Sequence, residues 1–170
     1  MNLIASADEN WGIGYQGKLL CRMPEDMLWF KEHTMNKTVV MGQITLESLP
    51  GSRPLTNRIN IVLSDDPDFF AQGCLVVHNL KELWAQTATY ADEEIFVIGG
   101  ASVYNLLLPY CRKAYITKFH KTFPADRYLP NLDELPEWHL LIISDDQWHD
   151  DLRYNFCVYE NDNPQIPLDK

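Results

Sequence analysis

The sequence predicts a single α/β domain over 1–170, built on a central, mostly parallel eight-stranded sheet with helices on both faces and an antiparallel C-terminal strand. Three observations predict it. Short apolar runs alternate with helical segments along most of the chain, the pattern of βα units. Most of these runs are too uniformly apolar for a sheet covered on one face only, so the sheet is expected to be covered on both. The last run alternates polar and apolar residues, which suits an antiparallel edge.

The strand runs, in order, are Leu3–Ala7, Thr38–Met41, Ile59–Leu63, Leu75–His78, Ile95–Ile98, Ala114–Thr117, His139–Ile143 and Arg153–Tyr159. Pro24–Thr34 reads as a helix. Proline suits a first helical position, and Glu25 and Asp26 fall in the positive first turn. Leu28, Trp29 and Phe30 make this helix apolar nearly all round. Asn79-Leu80-Lys81-Glu82 has capping-box spacing and opens a helix over Leu80–Thr89. Ala101–Leu108 follows Gly99-Gly100 and stops at Pro109, and a short helix bearing Thr45 and Ser48 follows Gly42.

Composition narrows the function classes. With 46% hydrophobic and 22% charged residues, the chain of 170 residues is an ordinary globular one with a sizeable core. Its net charge of −10 and the scatter of His120, Lys121 and Arg127 leave no basic stripe for nucleic acid, and an anionic membrane surface would repel it. No apolar run approaches the ~20 residues of a membrane span, and no leader peptide is expected. Cys21, Cys74, Cys111 and Cys157 lack metal-ligand spacing and read as reduced thiols of a cytoplasmic protein.

Gly12-Ile13-Gly14-Tyr15-Gln16-Gly17 matches the spacing of a dinucleotide fingerprint. The motif needs a strand running into it and a helix leaving it, whereas Asp8–Trp11 intervene and no helix signal appears before Pro24. The segment reads instead as a glycine-bearing mobile loop, long enough to act as a lid. Asp26 is either a partner of the helix dipole or a buried functional acid. Glu25 already supplies a dipole partner. A buried Asp26 would have a raised pKa and would need a partner, ideally a planar ligand with a fork of N–H donors. Val97-Ile98-Gly99-Gly100 running into a helix is either a tight packing turn or an anion site. Val39-Val40-Met41-Gly42 has the same form, and two such turns favour a ligand carrying a pyrophosphate.

These residues resemble those of the dihydrofolate reductases. The resemblance rests on Met23-Pro24-Glu25-Asp26-Met27-Leu28-Trp29-Phe30-Lys31, on Val40-Met41-Gly42 with Thr45, Glu47 and Ser48, and on Arg58-Ile-Asn-Ile-Val-Leu-Ser64. Val97-Ile98-Gly99-Gly100 with Tyr104, and Tyr115-Ile116-Thr117, complete it, in the family's order over nearly the whole chain. It implies reduction of 7,8-dihydrofolate by hydride transfer from NADPH to C6, with N5 protonated from water. Asp26 would pair with the pterin 2-amino group and N3, with Thr117 linked through water. Ile4, Ala5, Met27, Phe30, Leu49, Leu55 and Ile98 would line the pterin and aminobenzoate pocket, and Arg58 would grip the glutamate carboxylate. From sequence alone, Arg58 also reads as a surface arginine at a strand start. Tyr104 would sit beside the nicotinamide. Ser6, Ile13, Gly42, Gln43, Thr45, Ser48, Leu63, Ser64, Asp65, His78, Gly99, Gly100, Ala101, Ser102 and Val103 would follow the rest of the cofactor. The Gly99-Gly100 bond would be cis. Antifolate-like molecules would bind the same pocket, in a monomer. A related pteridine reductase and a non-catalytic binding relative are the competing readings. Arg58 speaks against the first, and the retained Asp26, Gly99-Gly100 and Thr117 against the second.

The chain also departs from that family. Cys21 and Leu20 stand where tryptophan and proline are usual. Gln43, Ile44, Asp65 and Ser102 stand where basic or hydroxyl groups commonly meet the cofactor's phosphates. Each lost charge contact is worth about 1 kcal/mol in water and ~4 near a protein surface. The expectation is therefore a lowered ratio of NADPH to NADH selectivity, offset in part by His78 and Lys81.

Overall fold

A computed structural model describes residues 1–167. The strands among them are β1 (Asn2–Ala7), β2 (Gly12–Gly14), β3 (Thr38–Gly42), β4 (Ile59–Leu63), β5 (Leu75–Val77) and β6 (Ile95–Gly99), then β7 (Lys113–Phe119), β8 (Arg127–Tyr128), β9 (Trp138–Ile143), β10 (Gln147–His149) and β11 (Leu152–Asn161). The α-helices are α1 (Pro24–Thr34), α2 (Gln43–Ser48), α3 (Leu80–Thr87) and α4 (Ala101–Leu107). Eight strands run in the order β10-β11-β7-β1-β6-β3-β4-β5, and β9 joins the same edge of β11 as β10. The six from β7 to β5 are mutually parallel, whereas β11 is antiparallel to β7.

Alternation along the strands sorts their side chains between two layers. Leu3, Val40, Ile61, Ile95, Val97 and Ile116 pack with Leu83 and Trp84 of α3 and with Val103 and Leu107 of α4. Val39, Met41 and Val62 point the other way, onto Leu46 of α2. On that second face Trp29 of α1 meets Tyr115 of β7 and Phe156 of β11 edge-on or tilted. Helices thus cover both faces, as predicted.

Local signals set most boundaries. Pro24 opens α1. Asn79 caps α3, accepting from the Glu82 amide at 2.9 Å, but Glu82 Oε2 reaches back to the amide of His78 rather than of Asn79. The helix ends at Thr87, not Thr89, where the Thr87 hydroxyl turns back onto the Leu83 carbonyl. α4 gives way to a 3₁₀ turn over Leu108–Tyr110 because Pro109 cannot continue it.

Three expectations need correction. The Gly12–Gly17 segment is not a free loop: β2 pairs with β8, and Tyr15 and Lys18 close a turn. α1 is not buried all round, since Met27 and Leu28 are exposed and its buried residues are Asp26 and Thr34. The apolar run in β9 is not covered either: Leu140, Leu141, Ile142 and Ile143 are each 43–56% exposed. This strand lies outside β11, with a register irregularity between Val158 and Tyr159, beyond the reach of the helices.

Candidate active site

The site is built from opposite ends of the chain. Alternation in β7 turns Tyr115, Thr117 and Phe119 toward α1, and the α1 first turn brings Asp26 to meet them. The Thr117 hydroxyl donates to Asp26 Oδ1 at 2.6 Å, with Thr117 fully buried and Asp26 9% exposed. The link between these two side chains is direct. Burial pushes the Asp26 carboxyl above its usual range, while the Thr117 hydrogen bond pulls it down. Glu25 meanwhile pairs with His149 at 3.1 Å, so the first acid of the turn is a surface partner and the second is the buried one.

Beside this pair, the Tyr104 hydroxyl donates to the Ile4 carbonyl at 2.7 Å. Burial raises the phenol well above its ordinary range, so it stays a neutral donor. Its ring lies against Gly99, where φ is +109° and a Cβ would come within 3.0 Å of Tyr104 Cε2. Only glycine fits there. A Cβ on Gly42 would meet Val103 at 3.1 Å, and one on Gly100 would meet the Thr45 hydroxyl at 3.3 Å. The Gly99-Gly100 peptide is cis, as expected. The three glycines leave bare backbone at the carboxyl ends of β3 and β6, where ligands dock on parallel sheets.

The remaining predicted residues fall around these two centres. Ile4 is buried in β1, and Ala5, Ile13 and Leu63 pack half-buried on the main core. Leu49, Leu55 and Ile98 pack together against the α2 layer, and Phe30 is half-buried on α1. Met27 is 39% exposed, a rim position. Ser6 is half-buried, paired in register with Thr117. Ser64 and His78 follow the ends of β4 and β5, and Asp65 is exposed beside them. Ala101 is half-buried, Ser102 is exposed, and the Ser48 hydroxyl is turned back onto the Thr45 carbonyl. Arg58 is half-buried rather than a loose surface residue. Its Nε and Nη2 each lie 3.3 Å from the Thr34 hydroxyl, its Nη1 donates to the Thr56 carbonyl at 2.7 Å, and among the described residues no carboxylate pairs with it.

Sequence reasoning missed the anchoring of the Gly12–Gly17 segment. Asp8 is fully buried, and its carboxylate accepts from the amides of Asn10, Gly12 and Phe123 at 2.8–2.9 Å. Asp126 holds the far end, accepting from the Gln16 amide at 3.0 Å. Trp11, at φ +61°, lies under Lys118, whose Nζ sits 3.6 Å from the ring centroid and has no hydrogen-bond partner among the described residues. An acid four residues before a glycine was the available signal for Asp8; its partner Phe123 lies too far along the chain for any local pattern to show.

A buried acid on one face and a glycine cradle at the strand ends define an α/β enzyme of the nucleotide-dependent class. The family described as "Dihydrofolate reductase" matches residues 1–161. A dihydrofolate reductase of Bacillus subtilis (strain 168) is 39% identical over 167 residues, covering 96% of this chain and 95% of that one. One of Mycobacterium tuberculosis (strain ATCC 25618 / H37Rv) is 42% identical over 126 residues, covering 72% and 74%. A solved dihydrofolate reductase from Enterococcus faecalis, complexed with NADP(H) and RAB-propyl, superposes with a TM-score of 0.83 at 35% identity, covering 94% and 95%. The chain belongs to the dihydrofolate reductase family.

Proposed function

We propose that the chain reduces 7,8-dihydrofolate to 5,6,7,8-tetrahydrofolate with NADPH. The observation that carries this reading is the buried Asp26–Thr117 pair, a lone carboxylate with an acceptor oxygen left for a ligand. The glycine cradle of Gly42, Gly99 and Gly100 fits a cofactor whose backbone must come close. When bound, NADPH supplies the hydride. Asp26 binds the pterin 2-amino group and N3 as a charge-assisted acceptor, and Thr117 fixes its rotamer. The negative charge of Asp26 favours the protonated ring, with N5 taking its proton from water. Tyr104, held by the Ile4 carbonyl, flanks the nicotinamide end with Ser6 and Ile13. Ile4, Ala5, Met27, Phe30, Leu49, Leu55 and Ile98 form the pterin and aminobenzoate walls. Arg58 grips the glutamate carboxylate: its guanidinium is already oriented by Thr34 and Thr56, and among the described residues it pairs with no carboxylate.

Antifolate-like molecules with the same N–H fork would occupy the same place. The reading takes 1–170 as one domain working as a monomer in the cytoplasm. Every group named lies in one chain, and the four cysteines are free thiols. The net charge of −10 supports a small-molecule substrate rather than nucleic acid. Among the described residues no helix is long and apolar enough to cross a membrane. Following the nicotinamide absorbance with dihydrofolate, and with a pterin lacking the glutamate tail, tests the reading. Rapid consumption with the first and weak consumption with the second is expected. No consumption with dihydrofolate would overturn it.

A further inference from the structure

We propose that Lys118, buried against Trp11, is a built-in release element: it works against the docked segment 11–17 and so sets how readily that segment opens and a bound cofactor leaves. Its part in cofactor exchange rests on the cofactor reading above, through Ile13 at the nicotinamide end. The opening itself does not.

Two costly features meet at this contact. Among the described residues, Lys118 Nζ is the one buried side-chain nitrogen or oxygen without a hydrogen-bond partner. Alternation in β7 turns Thr117 and Phe119 toward α1, so Lys118 points into the opposite layer. There its Nζ meets the face of the Trp11 ring, 3.6 Å from the centroid. A ring face replaces only part of the hydration that an ammonium loses on burial. Burial accordingly lowers the Lys118 pKa, and the acidic groups of Asp133, Cys157, Asp8 and Glu9 offset this without cancelling it. One oxygen of Asp133 is already engaged, accepting from the Tyr159 hydroxyl at 2.9 Å. Trp11 is the second feature. Its φ of +61° lies in the left-handed region, which among the described non-glycine residues it shares with Gln16, Asn36, Ser52, Asn57 and Asp150. Asparagine and aspartate tolerate that region, whereas a bulky indole is strained there.

Other bonds hold the segment in place. Asp8 accepts from the amides of Asn10, Gly12 and Phe123, and Asp126 accepts from the Gln16 amide. Moving Trp11 away hydrates the Lys118 ammonium and frees the Trp11 backbone. The segment is therefore tied at both ends and pushed off at Trp11, which gives it two states of similar free energy.

Lys118→Met keeps a long unbranched side chain and removes the charge. The amides of Gly12 and Gln16 lie in the segment, and those of Asp126 and Leu129 donate to its carbonyls at Gly14 and Trp11. Hydrogen exchange at these four should slow roughly tenfold or more in Lys118→Met. It should slow by less in Lys118→Gln, whose neutral amide still lacks a partner. Faster exchange in both variants would make the contact a stabilising clamp and overturn the proposal. Unchanged exchange at the four amides with a raised Tm would also overturn it, because Lys118 would then be buried by the fold as a whole and not by the segment. Release of NADPH, followed by nicotinamide fluorescence after trapping, should slow about tenfold in Lys118→Met. Unchanged release would overturn the part in cofactor exchange. If NADPH fails to bind the natural chain, the cofactor reading falls, and the exchange experiment still decides the role of Lys118.

Discussion

At the scale of single residues, environment separates two adjacent acids of one helical turn. Glu25 is exposed, and its carboxyl lies below the usual range, first through its own backbone hydrogen bond and then through His149. Asp26 is buried and its carboxyl lies above that range, with Thr117 its hydrogen-bonding partner. The Thr117 hydroxyl stabilises the charged form of Asp26. Thr117→Val should therefore raise the Asp26 pKa further and weaken dihydrofolate binding about tenfold at neutral pH. A carboxylate-labelled NMR titration reads the first effect, and an unchanged Asp26 titration would refute the coupling. Arg58→Gln should raise KM for dihydrofolate roughly 10–100-fold with little change in kcat, because a tail contact binds ground and transition states alike. Steady-state kinetics check this.

At the scale of elements, what was legible followed chain locality. The limits of α1 were readable because proline and the first-turn acids lie within a few residues of one another. The parallel strands were readable because burial on both faces leaves uniform apolar runs. The pairing of the Gly12–Gly17 segment was not: β2 is three residues long, and its partner β8 lies more than a hundred positions away. The direct Asp26–Thr117 bond likewise spans 91 positions, so residue types suggested both members but not their contact. The exposed Leu140–Ile143 run misled because an edge strand beyond β11 has the composition of a buried one. Asp8 ties three amides at the base of the Gly12–Gly17 segment, so Asp8→Ala should release it, each charged hydrogen bond being worth about 1.5–3 kcal/mol. Hydrogen exchange at Gly12 and Phe123 should accelerate strongly, while amides of β3 keep their protection.

At the scale of the whole molecule, the parallel strand ends gather the proposed cofactor contacts of β3 to β6 along one end of the sheet. Binding there ties several elements together and stabilises the fold by mass action. NADPH at 100 times its Kd should add about 2.7 kcal/mol, raising Tm by about 5–10 °C in a calorimetric scan. The proposed activity centres on one buried acid, whose cost to the ligand-free fold has a definite sign. With its folded pKa raised, Asp26 contributes stability below its unfolded value that is lost as pH rises through the folded one. The most direct test is Asp26→Asn, assayed for NADPH-dependent dihydrofolate reduction and for ligand-free Tm at neutral pH. Turnover should fall about 100-fold or more while Tm holds or rises; turnover like that of the natural chain would contradict the central role of Asp26.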